Sequence, residues 1–436
     1  MPTSRPADAD ARWYAGITRY QWLVLLVASL GWIFDTFEGQ IFVASMNEAI
    51  PSLATPGTPD SRIGFYNNVA LAAFLLGGAL GGIAFGVLSD RIGRKRTLSV
   101  TILFYSVFTC LSAFSQEWWH LAVLRFFVAL GVGGEWAVAS SLVAEVFPKR
   151  ARAHVGSIFH ASSVLGAYLA VAAGAFLPWR VGFALGVLPA LLTVWIRMSL
   201  REPETWQAAH ERAKEKPAEP MGAIGDLLRG ELARRTLLGV LLAAVGLATF
   251  WSVHIYGKDV LRTAVERQAT SQSRELSAAE AKRWEMLGMF LVTTGGGIGL
   301  LAFGPISERL GRRGAFVLFH LAAFAATIAL FQWRQPSVPT LIAVLPVFGL
   351  FTLGMHAGYA VYFPELYPTR LRGTGAGFCF NAGRLIAAPV MILVGWMQSA
   401  LGMTLPDIAT VCGALFLVGA ALMIWAPETR GRELVD

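Results

Sequence analysis

A string of ten residues occurs twice in this 436-residue chain, half a chain apart. Gly86–Lys95 reads GVLSDRIGRK and Gly304–Arg313 reads GPISERLGRR, an offset of 218 positions. EVFPKRAR at Glu145–Arg152 returns as ELYPTRLR at Glu365–Arg372, an offset of 220. A weaker echo pairs REPET at Arg201–Thr205 with PETR at Pro427–Arg430. Three landmarks in the same order and spacing imply one structural unit written twice. Whatever the chain folds into must contain two equivalent halves.

Composition says in what solvent. The chain is 55% hydrophobic and 15% charged, where a soluble domain carries about 25% charge. A soluble protein this apolar would expose large adhesive patches. The 14 Trp and 28 Phe suit lipid contact and interfacial belts. The net charge of +8 does not point to nucleic acid, because the basic residues fall between apolar blocks and form no single patch. Cys110, Cys379 and Cys412 lie in apolar stretches without metal-ligand spacing. The first apolar block is too long for a cleaved signal and reads as a retained membrane helix.

Apolar blocks long enough to cross a bilayer run at 20–46, 64–88, 97–115, 118–146, 154–177, 180–199, 236–257, 286–307, 315–333, 339–364, 374–399 and 406–425. The expected fold is an all-α membrane protein of twelve transmembrane helices in two pseudo-symmetric six-helix bundles. Residues 1–199 form the amino-terminal bundle, 200–235 a polar cytoplasmic linker and 236–436 the carboxy-terminal bundle. Gly-rich runs such as GGALGG at 77–82 and TTGGGIG at 293–299 mark seams where helix backbones approach closely. With both termini placed inside, 25 of the 36 Lys and Arg fall on the cytoplasmic side, among them Arg5, Arg12 and Arg19. Nine fall outside: Arg62, Arg180, Arg334 and six in the 258–285 loop. Positive residues belong on the cytoplasmic side, so this orientation is the expected one, in the cell membrane. Arg125 and Arg384 remain within the membrane.

The two ten-residue strings resemble the G-x-x-x-D-R-x-G-R-R/K loop of the major facilitator superfamily. The EVFPKRAR and ELYPTRLR strings resemble an E-x6-R element of its sugar-porter-like branch, as do the PET strings. The likeness covers nearly the whole chain and fits the twelve-helix count. Read physically, these loops place Asp90 beside Arg91 and Arg94, and Glu145 beside Arg152, at the inner helix ends. Their second-half counterparts are Glu308 with Arg309 and Arg312, and Glu365 with Arg372. Partly dehydrated charges pair when the inner face is shut, so these ten residues are the expected inner gate. Glu308 stands where the family pattern prefers Asp, a departure expected to loosen its latch.

Ionisable residues inside a membrane are costly and seldom idle. Asp35 and Glu38 share a face of the first helix. Asp35 lies roughly 22 Å along that helix, near the depth of Arg125 on the fourth. FDT at Phe34–Thr36 resembles the first-helix motif of proton-coupled sugar porters, in which an acid faces an arginine of helix four. The resemblance implies that Asp35 carries the proton and that Arg125 controls it. Glu38 and Glu135 are further proton candidates. Glu135 sits in GVGGEW, which resembles the sialate- and metabolite-proton symporter branches. Arg384, in NAGR, lies roughly 16 Å into helix eleven. That is near the midplane, where transporters bind substrate, and a guanidinium there suits a carboxylate. Asn381 and His160, at nearly matching repeat positions, are expected to line the same cavity.

The expected activity is proton-coupled symport of a small organic anion, a carboxylate metabolite, by alternating access. A sugar or polyol porter is the nearest alternative, but its site needs many amides and the helices offer few (Asn67, Asn68, Asn381, Gln398). A multidrug or metabolite exporter would want cavity acids without Arg384. A non-transporting nutrient sensor would typically carry a long soluble tail. An enzyme is not expected, because no nucleophile–base set, metal spacing or nucleotide motif is present. No cofactor or metal is called for, and nothing demands a partner beyond substrate, protons and lipid, so the chain is expected to act as a monomer.

Overall fold

Helix follows helix through the computed structural model, which describes residues 13–433 apart from Pro59, 216–219 and Arg334. Arg5, Arg12 and Arg334 of the charge balance therefore lie outside the described residues. So do the side chains of Arg62, Asn67, Asn68 and Gln398. In the first half the helices are α1 (Arg19–Leu53), α2 (Asp60–Ile92), α3 (Arg94–Ser112), α4 (Trp118–Val146), α5 (Lys149–Ala161), α6 (Ser163–Phe176), α7 (Trp179–Ala184) and α8 (Leu188–Ser199). The connection carries α9 (Glu204–Glu215) and α10 (Ile224–Leu227). The second half contains α11 (Gly230–Ser252), α12 (Gly257–Ser271), α13 (Ala278–Phe331), α14 (Val338–Gly354), α15 (His356–Glu365), α16 (Arg372–Ala400), α17 (Leu405–Gly413) and α18 (Leu415–Leu422).

These make twelve spans in two six-helix bundles. Four spans are each broken into two helices: α5–α6 at Ser162, α7–α8 at a 3-10 turn (Leu185–Val187), α14–α15 at Met355 and α17–α18 at Ala414. The seventh span starts earlier than its apolar block, at Gly230, because Glu231 and Arg235 pair across one helical turn at 2.5 Å and extend the helix into polar sequence. The 258–285 connection, read as a loop, is helix α12 as far as Ser271 and enters α13 from Ala278. Side-chain caps begin several helices: Thr18 and Gln21 form a capping box on α1, and Ser277 with Glu280 forms one on α13.

The duplication is visible in the packing. A Cβ added at Gly77 or Gly81 would fall 2.1 or 1.8 Å from the carbonyl oxygens of Phe126 and Leu130, so only glycine lets α2 lie this close to α4. At Gly295 and Gly299, 218 positions on, the oxygens of Pro346 and Leu350 would be met at 1.8 and 2.0 Å as α13 crosses α14. The repeated strings turn the chain in the same way. Gly93 (φ 107°) ends α2 and Gly311 (φ 79°) folds α13 into two spans, both with positive φ that other residues rarely adopt. Between the halves, α2 packs on α16 and α13 on α5.

Candidate functional site

Two clusters of charge carry the chemistry. The first lies at mid-depth. Asp35 and Glu38 of α1, and Arg125 and Glu135 of α4, are at most 1% exposed. Glu135 reaches α1 where glycine leaves room: a Cβ at Gly31 would fall 1.8 Å from its Oε1. Asp35 and Glu135 lie within hydrogen-bonding reach of each other, and the Tyr105 hydroxyl of α3 lies beside Glu135. As carboxylates the two acids offer each other acceptors and no donor, and none of their oxygens has a hydrogen-bond partner otherwise. Arg384 of α16 is the cation within electrostatic reach of Asp35.

The expected Asp35–Arg125 pair is not formed. Arg125 donates to the backbone carbonyl of Glu38 at 2.7 Å and sits over the rings of Phe74 (4.6 Å), Phe42 (5.3 Å) and Phe183 (5.8 Å). Asp35 lies one turn earlier on α1, at the level of Glu135 rather than Arg125. Glu38 is the acid that feels the Arg125 charge.

Arg384 is partly exposed although helices surround it. Its Nη1 donates to Asn381 Oδ1 at 3.0 Å, and its guanidinium lies 4.9 Å from the centre of the Phe380 ring. Asn381 is fully buried against Gly82 and also donates to the Gly377 carbonyl at 2.8 Å, so it positions Arg384. Phe380 stacks on Trp136 at 4.4 Å. The Trp136 indole donates to Nδ1 of His160 at 3.2 Å, which leaves the His160 proton on Nε2. His160 is 5% exposed and faces His356 of the other half. The structure thus gathers Asp35, Glu135, Arg384, Asn381 and His160 about one place between the halves, with Glu38 and Arg125 a turn away.

The second cluster bridges the halves on the face bearing the basic loops. Arg94 is wholly buried. It pairs with Asp90 and donates to Glu145 at 2.8 and 3.3 Å and to the Thr369 carbonyl at 3.1 Å. Glu145 also accepts from Arg372 of the opposite half at 2.9 Å. Asp90 accepts from the backbone of Gly373 (3.1 Å) and Thr374 (2.7 Å) and from the Thr374 hydroxyl (2.5 Å), capping α16. The expected Glu145–Arg152 pair is absent. Arg152 follows the Pro148 turn and points back to the Ala144 carbonyl (3.1 Å), then to that of Arg432 (3.5 Å). In the second half Arg312 pairs with Glu308 (2.8 Å) and Glu365 (3.0 Å), and Glu365 accepts from Thr429 at 2.6 Å. Arg91 and Arg309 stand outside these networks with exposed side chains, because each is turned about 100° from the acid before it.

Several residues escaped the sequence reading. Tyr105 and Thr109, polar residues in an apolar helix, carried the available signal. Both lie beside the buried acids, and their hydroxyls are buried without partners. The PET strings hid another pair. Glu428 accepts from the backbone N–H of Arg312 (3.0 Å) and Arg313 (3.2 Å), past the Gly311 turn. Its first-half equivalent is Glu202, which accepts from Lys95 (3.2 Å) and Arg96 (3.3 Å) past Gly93. Aligning the two PET strings pairs Glu428 with Glu204 instead. The linker joins this face as well: the Trp206 indole donates to the Asp90 carbonyl at 2.9 Å, and Asp226 pairs with Arg370 at 2.6 Å.

Known proteins resemble this chain over most of its length. Residues 40–378 match the family described as Major Facilitator Superfamily. A probable 4-methylmuconolactone transporter of Cupriavidus pinatubonensis is 29% identical over 433 residues, covering 96% of this chain and 93% of that protein. The cis,cis-muconate transport protein of Acinetobacter baylyi is 30% identical over 338 residues, covering 76% and 78%. Among solved structures, the proton:xylose symporter XylE superposes with a TM-score of 0.77 at 17% identity, covering 95% of this chain and 98% of that one.

Proposed function

The chain belongs to the major facilitator superfamily and is a multi-pass membrane transporter of small organic molecules; from that premise we propose that it carries a small organic carboxylate together with protons by alternating access. One observation carries the reading: the guanidinium of Arg384 stands between the halves, bonded to Asn381 and within electrostatic reach of the buried Asp35. Arg384 binds the carboxylate through parallel hydrogen bonds, held in place by Asn381. Phe380 and Trp136 beside it offer a π surface to a conjugated body. Asp35 and Glu135 hold the coupling proton, because two adjacent buried carboxyl groups cannot both stay ionised. The muconate and muconolactone transporters among the relatives are consistent with such a substrate.

The division of labour follows the duplication. Residues 1–199 and 236–436 rock about the site, and 200–235 links them. The Asp90, Arg94, Glu145 and Arg372 cluster is a gate, shut in this conformation, on the cytoplasmic face. Both termini lie on that side, in the cell membrane, and one chain suffices.

Counterflow in proteoliposomes tests the reading, with labelled cis,cis-muconate, benzoate and xylose at two external pH values. The carboxylates are expected to exchange and to accumulate under an inward proton gradient, while xylose does not. Arg384→Ala should abolish carboxylate exchange. Unchanged carboxylate exchange in that variant, or exchange of xylose alone, defeats the reading.

A further inference from the structure

Four rings meet where the halves touch: Trp136 on α4, His160 on α5, His356 on α15 and Phe380 on α16. They are two repeat-related pairs, for Trp136 and His356 stand 220 positions apart, and so do His160 and Phe380. Trp136 stacks on Phe380 at 4.4 Å and donates to His160 Nδ1 at 3.2 Å. In the other half the Tyr359 ring lies 6.2 Å from Phe380 and 5.3 Å from His356. The two histidines come from facing helices. A Cβ added at Gly156 of α5 would fall 2.8 Å from Cγ2 of Val361 on α15. Helix α5 leaves the basic face and α15 returns to it. His160, four residues past Gly156, and His356, five before Val361, therefore both lie about one turn outward of that contact. Arg384 lies one turn outward of Phe380, about 6 Å along α16.

The polar atoms of this pair are spare. His160 takes the Trp136 N–H on Nδ1, so its Nε2 carries the proton, and Nε2 has no partner among the described residues. Nε2 of His356 is buried and has no hydrogen-bond partner, His160 included. The Gly246 carbonyl lies within reach of the His356 ring, and a neutral ring that gives it Nδ1–H keeps Nε2 as an acceptor. One free donor and one free acceptor thus stand on facing helices, about a turn inward of Arg384. Leaving such atoms unbonded is costly, and a ligand that bonds both is favoured. We propose that His160 and His356 together bind a hydroxyl carried by the substrate at the end remote from its carboxylate. His160 Nε2 donates to the hydroxyl oxygen, and the hydroxyl donates to His356 Nε2. This rests on the carboxylate reading of Arg384 and narrows it to hydroxy acids whose two groups lie about 6 Å apart. An ether oxygen serves His160 alone, and a hydrocarbon end serves neither. Such a site discriminates, because a ligand without the hydroxyl leaves both nitrogens unpaired.

Isothermal titration calorimetry on the purified full-length protein compares 4-(hydroxymethyl)benzoate with its isostere 4-ethylbenzoate. A third ligand, 4-(methoxymethyl)benzoate, can accept a hydrogen bond but not donate one. The alcohol is expected to bind roughly ten-fold more tightly than the ethyl compound, with the ether closer to the ethyl compound. In His160→Leu and in His356→Leu the ratio of alcohol to ethyl affinity should fall toward one. Rings that only pack would weaken both ligands alike and leave the ratio as it was, which overturns the proposal. Equal binding of alcohol and ethyl compound by the wild type overturns it without any variant, and leaves the carboxylate reading standing. So does binding of benzoate when neither larger acid binds. Failure of every one of these acids to bind, benzoate and cis,cis-muconate included, defeats the carboxylate reading and the hydroxyl site with it.

Discussion

The two copies of the repeated loop build unequal networks. In the first half Arg94 lies between Asp90 and Glu145, and Glu145 reaches on to Arg372 in the other half. In the second half Arg312 lies between Glu308 and Glu365 in the same way, but Glu365 takes its second partner, Thr429, from its own half. Arg152, the counterpart of Arg372, remains within electrostatic reach of Glu365 without bonding to it. Asp90 and Glu308 differ for a backbone reason. Helix α16 begins at Arg372, so Gly373 and Thr374 still have free N–H groups for Asp90 to accept. The matching residues Ala153 and His154 lie a turn inside α5, where the helix uses those groups itself. Glu308 is left partly exposed, at 26%, where Asp90 is fully buried. One network fastens half to half and the other fastens a half to itself. The duplication supplied the parts, and the starting points of two helices decided their strength.

The largest effect should come from breaking the bridging network and its twin in parallel. Glu145→Gln leaves Arg94 and Arg372 buried with one acid between them. Removing one member of such a buried pair costs about 3–5 kcal/mol, a shift of roughly a hundred-fold to a few thousand-fold in the shut-to-open ratio. A cysteine at Ala376, buried here, should become reactive to an impermeant thiol reagent from the basic face, in a background lacking Cys110, Cys379 and Cys412. Glu365→Gln should lower the melting temperature yet leave that reactivity nearly unchanged. Equal reactivity in the two variants would erase the contrast drawn here.

Smaller effects are expected where the halves do agree. Glu202 and Glu428 each accept two backbone N–H groups at the start of the following span. Loss of such a cap costs about 1 kcal/mol, so Glu202→Gln and Glu428→Gln should lower the melting temperature by similar amounts. Burial works against the Glu428 charge, but the backbone donors of Arg430, Arg312 and Arg313 outweigh it, with help from the Arg312 charge, and hold the carboxyl below its usual range. A depressed folded-state value means the stabilisation is complete above the ordinary glutamate pKa of about 4.3 and fades as pH falls through the folded value. The melting curves of wild type and Glu428→Gln should therefore separate at pH 7 and converge in acid. A gap that stays constant or widens in acid would show that the cap does not act through its charge.

The same contrast explains what could be read from the chain beforehand. Fold and duplication were legible, because apolar length, the glycine seams and the repeated loops are local patterns. Most of the charged members of each network were legible too, since charged residues stand out in an apolar chain, but Arg91, Arg152 and Arg309 were expected there and bond elsewhere or face outward. Partnership was not. Glu145 pairs with Arg372, 227 positions away, in preference to nearby Arg152, and Asp35 looks to Glu135 and not Arg125. Those choices depend on helical phase and on where a helix starts, to within one residue. Tyr105 was passed over for the same reason: an aromatic residue in a membrane helix carries no mark of which way it faces.

The smallest predicted effect is also the one whose sign is most informative. Thr429 is nearly buried and gives its hydroxyl to Glu365 at 2.6 Å. Thr429→Val keeps the shape and removes the donor, leaving a carboxylate oxygen unpaired. Loss of a hydrogen bond to a charged group costs about 1.5–3 kcal/mol if nothing replaces it. Arg152 is placed to replace it, and doing so would build across the halves the very bridge that Arg372 builds on the other side. The net change in stability should then stay under about 1 kcal/mol. Reactivity of the Ala376→Cys thiol should fall, opposite in direction to Glu145→Gln, and adding Arg152→Gln to Thr429→Val should restore it. If Thr429→Val raises the reactivity instead, Thr429 itself helps keep that face shut, and the second network bridges the halves after all.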